Sequence, residues 1–211
     1  STGEAGMLER RRPAPDSYTR AVDPSSIAAV VGAYLLGSVG FGVLVPRMRG
    51  VDIYSRGSGN PGATNVLRSM GSKAAAAVML GDMAKGFAAA AIGDIVGGEA
   101  VGFASGFAAV IGHCYPIWHR FRGGKGAAAA GGMTMWLEPI VGLAFLVVWF
   151  LIAKVWKRAS LASMLVAVAL VPALFGFGHR GWSLAWAGAS ALLVMVRHRG
   201  NLRRLLAGTE R

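Results

Sequence analysis

Arg56-Gly57-Ser58-Gly59-Asn60-Pro61-Gly62-Ala63-Thr64-Asn65-Val66-Leu67-Arg68 is a polar stretch punctuated by glycine, and its reading decides the fold. Gly57, Gly59 and Gly62 have the spacing of a dinucleotide fingerprint, and Asp82 follows at about the distance of its ribose-binding acid. That fingerprint needs a strand on each side of a helix, with the acid ending the second strand. Asp82 instead lies inside an apolar run from Ala74 to Val96, long enough to cross a bilayer as a helix. The stretch is therefore a loop between membrane segments. A second phosphate pattern fails as well, because Gly123-Gly124-Lys125 is followed by Gly126 where a P-loop has Ser or Thr.

As a loop, the stretch suits an anion. Its glycines let backbone N–H groups turn inward as a nest, Ser58, Asn60, Thr64 and Asn65 add neutral donors, and Arg56 and Arg68 add charge. Asn60 as N-cap, Pro61 at the first helical position and Gly71 as terminator predict a short helix aimed at whatever sits over Ser58 to Asn60. Such loops also serve as plain turns between spans, and this loop alone does not separate the two readings.

The surrounding chain has 211 residues, 54% of them hydrophobic and 31 of them glycine, too apolar and glycine-rich for a soluble domain. We expect an all-α integral membrane protein: a mobile N-terminal tail over residues 1–25, with Met7 a candidate start, and one transmembrane domain over 26–211. Apolar runs place seven spans at 27–45, 73–96, 100–118, 126–138, 139–156, 160–178 and 182–197, together with a short amphipathic helix and glycine-rich loops. The fourth run is short for ~30 Å of hydrocarbon, and Pro139 separates it from the fifth. With this layout sixteen Lys and Arg residues fall in loops on one side and only Arg180 in the short loops of the other. The positive-inside rule then puts the glycine loops and the C-terminus in the cytoplasm, although Arg10 to Arg12 and Arg20 of the tail oppose it. The net charge of +12 is spread between spans, which argues against a nucleic-acid partner. Lone Cys114 excludes an internal disulfide, and the four histidines lack a zinc spacing. Gly32, Gly37, Gly40, Gly102, Gly106, Gly131 and Gly132 are expected to let helices approach closely.

A second constellation, Gly112-His113-Cys114-Tyr115-Pro116 through Phe121-Arg122-Gly123-Gly124-Lys125-Gly126, repeats the chemistry of the first, with Lys125 at the mouth of a helix. Ser160 and Ser163 open a later span as expected caps, and Arg197-His198-Arg199-Gly200-Asn201-Leu202-Arg203-Arg204 closes the last one. Asp82 and Lys85, three apart on one helix face, are expected to pair, since each alone would cost about 3 kcal/mol at mid-membrane.

Taken in order, the first loop, Asp82-x-x-Lys85-Gly86, Gly112-His113-x-x-Pro116, Phe121 to Gly126 and His198-Arg199-x-Asn201 resemble the bacterial acyl-phosphate-dependent glycerol-3-phosphate acyltransferases, the PlsY family. The likeness runs from about Val30 to Glu210. It implies a multi-pass enzyme of the bacterial inner membrane, active at the cytoplasmic face, that moves a fatty acyl group from acyl phosphate to the 1-hydroxyl of glycerol 3-phosphate. It also implies no cofactor and no metal, with membrane lipids and an acyl-phosphate-producing enzyme as partners. By the same resemblance Ser58, Gly59, Asn60, Gly62, Thr64 and Asn65 cradle the acyl phosphate. Arg68, Lys125, Ser163, His198 and Asn201 grip glycerol 3-phosphate, and Lys125, Arg68, Ser58, His198 and Asn201 form the catalytic set. No serine, histidine and acid triad is apparent, so direct attack by the substrate hydroxyl is expected, with His198 or His113 as general base the alternative. Gly200 departs from the family's usual Glu, which puts an acidic role near the acceptor site in doubt. Gly40 departs from a usual proline, for which a changed helix bend is expected. A small-anion transporter is the other function considered; it predicts inverted repeats, and none is visible.

Overall fold

The structure, a computed structural model, describes residues 23–210. Of the expected tail, residues 1–22 lie outside the described residues, and helix α1 (Pro24–Gly37) already begins at Pro24, whose fixed φ suits a first helical turn. The other helices are α2 (Phe41–Arg47), α3 (Ala63–Met70), α4 (Ser72–Gly97), α5 (Glu99–Cys114), α6 (Ala127–Leu137), α7 (Pro139–Trp156), α8 (Ala159–Gly176), α9 (Gly181–Arg197) and α10 (Arg199–Leu206). Among the described residues, five helical segments are long and apolar enough to cross a membrane: Pro24–Arg47, Ser72–Gly97, Glu99–His119, Pro139–Trp156 and Ala159–Gly176. α6, with 11 residues, rises only about 16 Å, and α9 has 17.

α4 is the axis of the bundle, packed by α1, α5 and α6, while α9 joins α5 to α8 and α7 lies outside α8. The α4–α6 approach depends on missing side chains. A Cβ on Gly86 would overlap the Ala129 backbone, and one on Gly132 the Met83 backbone. Gly37 and Gly112 bring α1 and α5 together in the same way. Gly32 and Gly131 do not act so, because a Cβ on either would meet nothing within 4 Å; both face away from neighbouring helices.

The first span is not one continuous helix. It breaks at Ser38-Val39-Gly40 between α1 and α2, which frees the Val39 carbonyl to accept from Lys85 Nζ at 2.7 Å. Lys85 also lies 2.9 Å from Asp82 Oδ1, as its three-residue spacing predicts, and His113 Nδ1 stands 3.3 Å from the same oxygen. A buried ammonium needs several acceptors, and the break supplies one that a helix would have used internally. Gly40 is more than a bend: the His119 ring fills its face, and a Cβ there would lie 2.7 Å from ring atoms.

Candidate active site

The loop between α2 and α3 is shaped by two glycines and one asparagine. Gly57 and Gly59 take positive φ of 54° and 67°, which side-chain-bearing residues seldom adopt. Asn65, on the first turn of α3, turns back: its Oδ1 accepts from Ser58 N–H at 3.0 Å, and its Nδ2 donates to the Arg56 carbonyl at 3.0 Å. Asn65 is thus a staple, its amide already engaged by the loop, with Ser58 left exposed at the surface. α3 begins two residues later than expected. Its N-cap is Gly62, not Asn60, because Pro61 is held against α2, where a Cβ on Gly42 would overlap the Pro61 carbonyl. Gly71, with φ of 85°, ends it as expected.

Tyr54 ties this loop to the next. Its hydroxyl donates to the Arg122 carbonyl at 2.7 Å, and the Arg122 guanidinium lies over its ring at 4.6 Å. In the second loop Gly123 and Gly124 are buried against His113, and Arg197 at the end of α9 donates to both of their carbonyls at 2.8–3.0 Å. These bonds hold the backbone that presents Lys125. Lys125 Nζ donates to Asn201 Oδ1 at 2.5 Å, joining the α5–α6 loop to α10. Asn201 Nδ2 in turn donates to Glu210 Oε1 at 2.5 Å, and Glu210 also accepts from Ser160 and from Arg204 Nε, both at 2.7 Å. Ser163, a turn along from Ser160, accepts from Trp149 Nε1 at 2.9 Å and donates to the Ala159 carbonyl. Neither serine caps α8; they link it to α7 and to the segment after α10.

Burial, reinforced by Arg204, Arg197 and Arg68 and opposed by Glu210, brings Lys125 down to about 8. It stays mostly charged at neutral pH. His198 is brought down to about 4, chiefly by burial, and is neutral. Its Nδ1 lies 2.8 Å from the Val194 carbonyl, which can only accept, so Nδ1 carries the hydrogen and Nε2 keeps the lone pair.

Lys125 and Asn201 are therefore in contact, and the charges of Arg68 and Lys125 both reach their neighbourhood, the latter acting on His198. Ser58 and Asn65 form a separate group in the first loop, joined to the second through Tyr54. Gly59, Asn60, Gly62 and Thr64 line the same loop up to the first turn of α3. Sequence reasoning missed Tyr54, the Arg197 clamp and Glu210. Gly200 leaves no acid next to Asn201 in sequence, and the carboxylate that meets Asn201 comes from Glu210, beyond α10. Its only sequence signal is Gly208-Thr209, a turn pair that could fold the chain back.

The model of the family described as glycerol-3-phosphate acyltransferase matches residues 27–208. A glycerol-3-phosphate acyltransferase from Rhizobium meliloti is 48% identical over 189 residues, covering 89% of this chain and 92% of its own; one from Nitrobacter winogradskyi is 42% identical over 188 residues, with 89% and 95% covered. The crystal structure of PlsY, an integral membrane glycerol 3-phosphate acyltransferase, in its glycerol 3-phosphate form superposes with a TM-score of 0.85 at 39% identity, covering 89% of this chain and 94% of that one. Its lysophosphatidic acid form gives 0.83 at 40% identity with the same coverage. Matched over most of its length by the family model, by curated relatives and by a solved membrane enzyme, this chain is an integral membrane protein that belongs to the glycerol-3-phosphate acyltransferase family.

Proposed function

We propose that this chain transfers a fatty acyl group from acyl phosphate to the 1-hydroxyl of glycerol 3-phosphate, giving lysophosphatidic acid and inorganic phosphate. The observation that carries the proposal is the Lys125–Asn201 contact, a partly buried ammonium held by α10 amid Arg68, Arg197 and Arg204. Such a cluster suits a phosphate dianion. Arg68, Lys125, Ser163, His198 and Asn201 would hold glycerol 3-phosphate. The acyl phosphate would lie over Ser58, Gly59, Asn60, Gly62 and Thr64, on a loop whose shape Asn65 maintains.

Acyl phosphate is an activated mixed anhydride, so no enzyme-bound acyl intermediate is required. The glycerol hydroxyl attacks the acyl carbon, a new ester C–O bond forms, and the bond from that carbon to the phosphate oxygen breaks. The hydroxyl proton passes to an oxygen of the departing phosphate. Lys125, Arg68 and loop N–H groups stabilise the charge that develops. Neutral His198 offers the Nε2 lone pair to a substrate hydroxyl, and its depressed basicity favours an orienting role over that of general base. His113 is less suited, with Nδ1 on Asp82 and Nε2 against Gly124. Replacing His198 by Gln should mainly raise the KM for glycerol 3-phosphate; collapse of kcat alone would return the proton to His198.

The cytoplasmic side of the bacterial inner membrane, seven spans counting α6 and α9, and an outward N-terminus complete the proposal, supported by the basic loops gathered at the end that holds Lys125. The decisive assay mixes purified protein with palmitoyl phosphate and glycerol 3-phosphate and measures lysophosphatidate, with palmitoyl-CoA as control donor. Product from palmitoyl-CoA alone would remove the acyl-phosphate reading.

A further inference from the structure

Beyond α10 the chain reverses. Gly208 takes φ of 69°, and the N–H groups of Thr209 and Glu210 both reach the Arg204 carbonyl, at 2.8 and 3.2 Å. The turn lays Glu210 back on the face of α10 that carries Asn201 and Arg204, where it is 7% exposed although its neighbours from Leu206 to Thr209 are exposed. A carboxylate placed there has a definite effect on Asn201. An amide presents an acceptor on one side and donors on the other, and the two can exchange by a flip. An ionised carboxylate only accepts, so Glu210 takes the Nδ2 side and leaves Oδ1 facing Lys125. Lys125 then spends one of its three N–H bonds on Asn201 and has two left for an incoming anion.

We infer that Glu210 is a positioning residue for the acceptor phosphate: it locks the Asn201 amide, and through it the Lys125 ammonium, in the orientation that receives the phosphate of glycerol 3-phosphate. Ser160 and Arg204 hold the carboxylate in turn, so one acid connects α8, α10 and the α5–α6 loop. Hydrogen bonds from Ser160, Asn201 and Arg204 outweigh burial, which acts the other way, and hold Glu210 below the usual carboxylate range; it is charged wherever the enzyme works. Among the described residues whose charge acts on Lys125, Glu210 supports its positive charge, against Arg68, Arg197 and Arg204.

The inference rests on the assignment of Lys125 and Asn201 to glycerol 3-phosphate, and the test separates the two. Steady-state kinetics are measured for wild type, Lys125→Ala, Glu210→Gln and Ser160→Ala, with each substrate varied in turn and with full pH profiles. Glu210→Gln should raise the KM for glycerol 3-phosphate by about tenfold, leave that for palmitoyl phosphate within about twofold, and move the alkaline limb of activity to lower pH. Ser160→Ala, which removes one donor to Glu210 without touching Lys125 or Asn201, should show the same pattern at smaller amplitude. An unchanged or lowered KM for glycerol 3-phosphate in Glu210→Gln overturns the inference, the lowered value marking a carboxylate that competes with the substrate. Equal losses for both substrates with a lowered Tm overturn it too, as a merely structural role. If Lys125→Ala itself leaves the KM for glycerol 3-phosphate unchanged, the site assignment fails first.

Discussion

The two ends of the bundle are both tied by polar side chains, yet their charge balance is opposite. At the end away from Lys125, His179 bridges Glu99 and Glu138 at 3.0 and 3.3 Å, and Trp136 Nε1 donates to Asp94 at 3.0 Å. These contacts connect the starts of α5 and α7 to the α8–α9 turn and the end of α4. At the other end, among the described residues, Lys125 feels three positive charges, Arg68, Arg197 and Arg204, and one negative, Glu210. Like charges are brought together there against their repulsion, with Arg197 held by the Gly123 and Gly124 carbonyls and Arg204 by Glu210. The lesson is that the far end, a latch, gathers carboxylates, whereas among the described residues cations predominate around Lys125, the side expected to attract an anion.

The comparison breaks most sharply at Lys125. Lys125→Ala should lower kcat/KM by about a hundred- to a thousandfold with little change in Tm, checked by kinetics and thermal unfolding in detergent. Activity and stability should also separate with pH. Wild-type activity should fall as pH rises through about 8, where Lys125 loses its proton. Because its folded value lies below the ordinary 10.5, the unfolded chain binds more protons between those limits, so this group's contribution to stability rises over the same window. A parallel fall of both would mean that unfolding, not Lys125, sets the alkaline limit.

Midway between the ends, Asp82→Asn should destabilise by about 3 kcal/mol, because Lys85 is left buried without its carboxylate; a further Lys85→Met change should restore part of the loss. A smaller effect is expected in the first loop. Asn65→Ala removes two bonds of the staple and should raise the KM for acyl phosphate about tenfold while sparing that for glycerol 3-phosphate. The smallest belongs to the far end: His179→Gln should lower stability by about 1 kcal/mol, since Glu99 is half exposed and screened, and leave both KM values unchanged. A change in KM there would contradict the division between latch and site.

Much of this arrangement could be read from residue order. Apolar runs locate the helices, and the three-residue step from Asp82 to Lys85 foretells their pairing. What escaped were properties that depend on a distant partner. The break at Ser38 to Gly40 answers the needs of a lysine 46 residues away in sequence, and no local breaker beyond glycine marks it. Asn60 has the chemistry of a cap, but the contact of Pro61 with Gly42 sets where α3 begins. Asn65 reads as a ligand in sequence, and the bonds it makes to Ser58 and Arg56 were not foreseen. Gly32 and Gly131 look like Gly37 and Gly132 in sequence and differ only in what stands opposite them.

The brevity of α6 has a consequence for where the reactants meet. If α6 counts as a span, as proposed, its 11 residues stop well short of a ~30 Å slab and the loop before it would have to descend to meet it; Gly123, Gly124 and Gly126 of that loop are all buried. Under the proposed seven-span layout, the floor on which Lys125 stands would lie below the membrane surface. The acyl phosphate of the proposed reaction could then present its head there while its hydrocarbon tail remains among neighbouring lipids, and solvent would have little chance to hydrolyse the anhydride before the acceptor arrives.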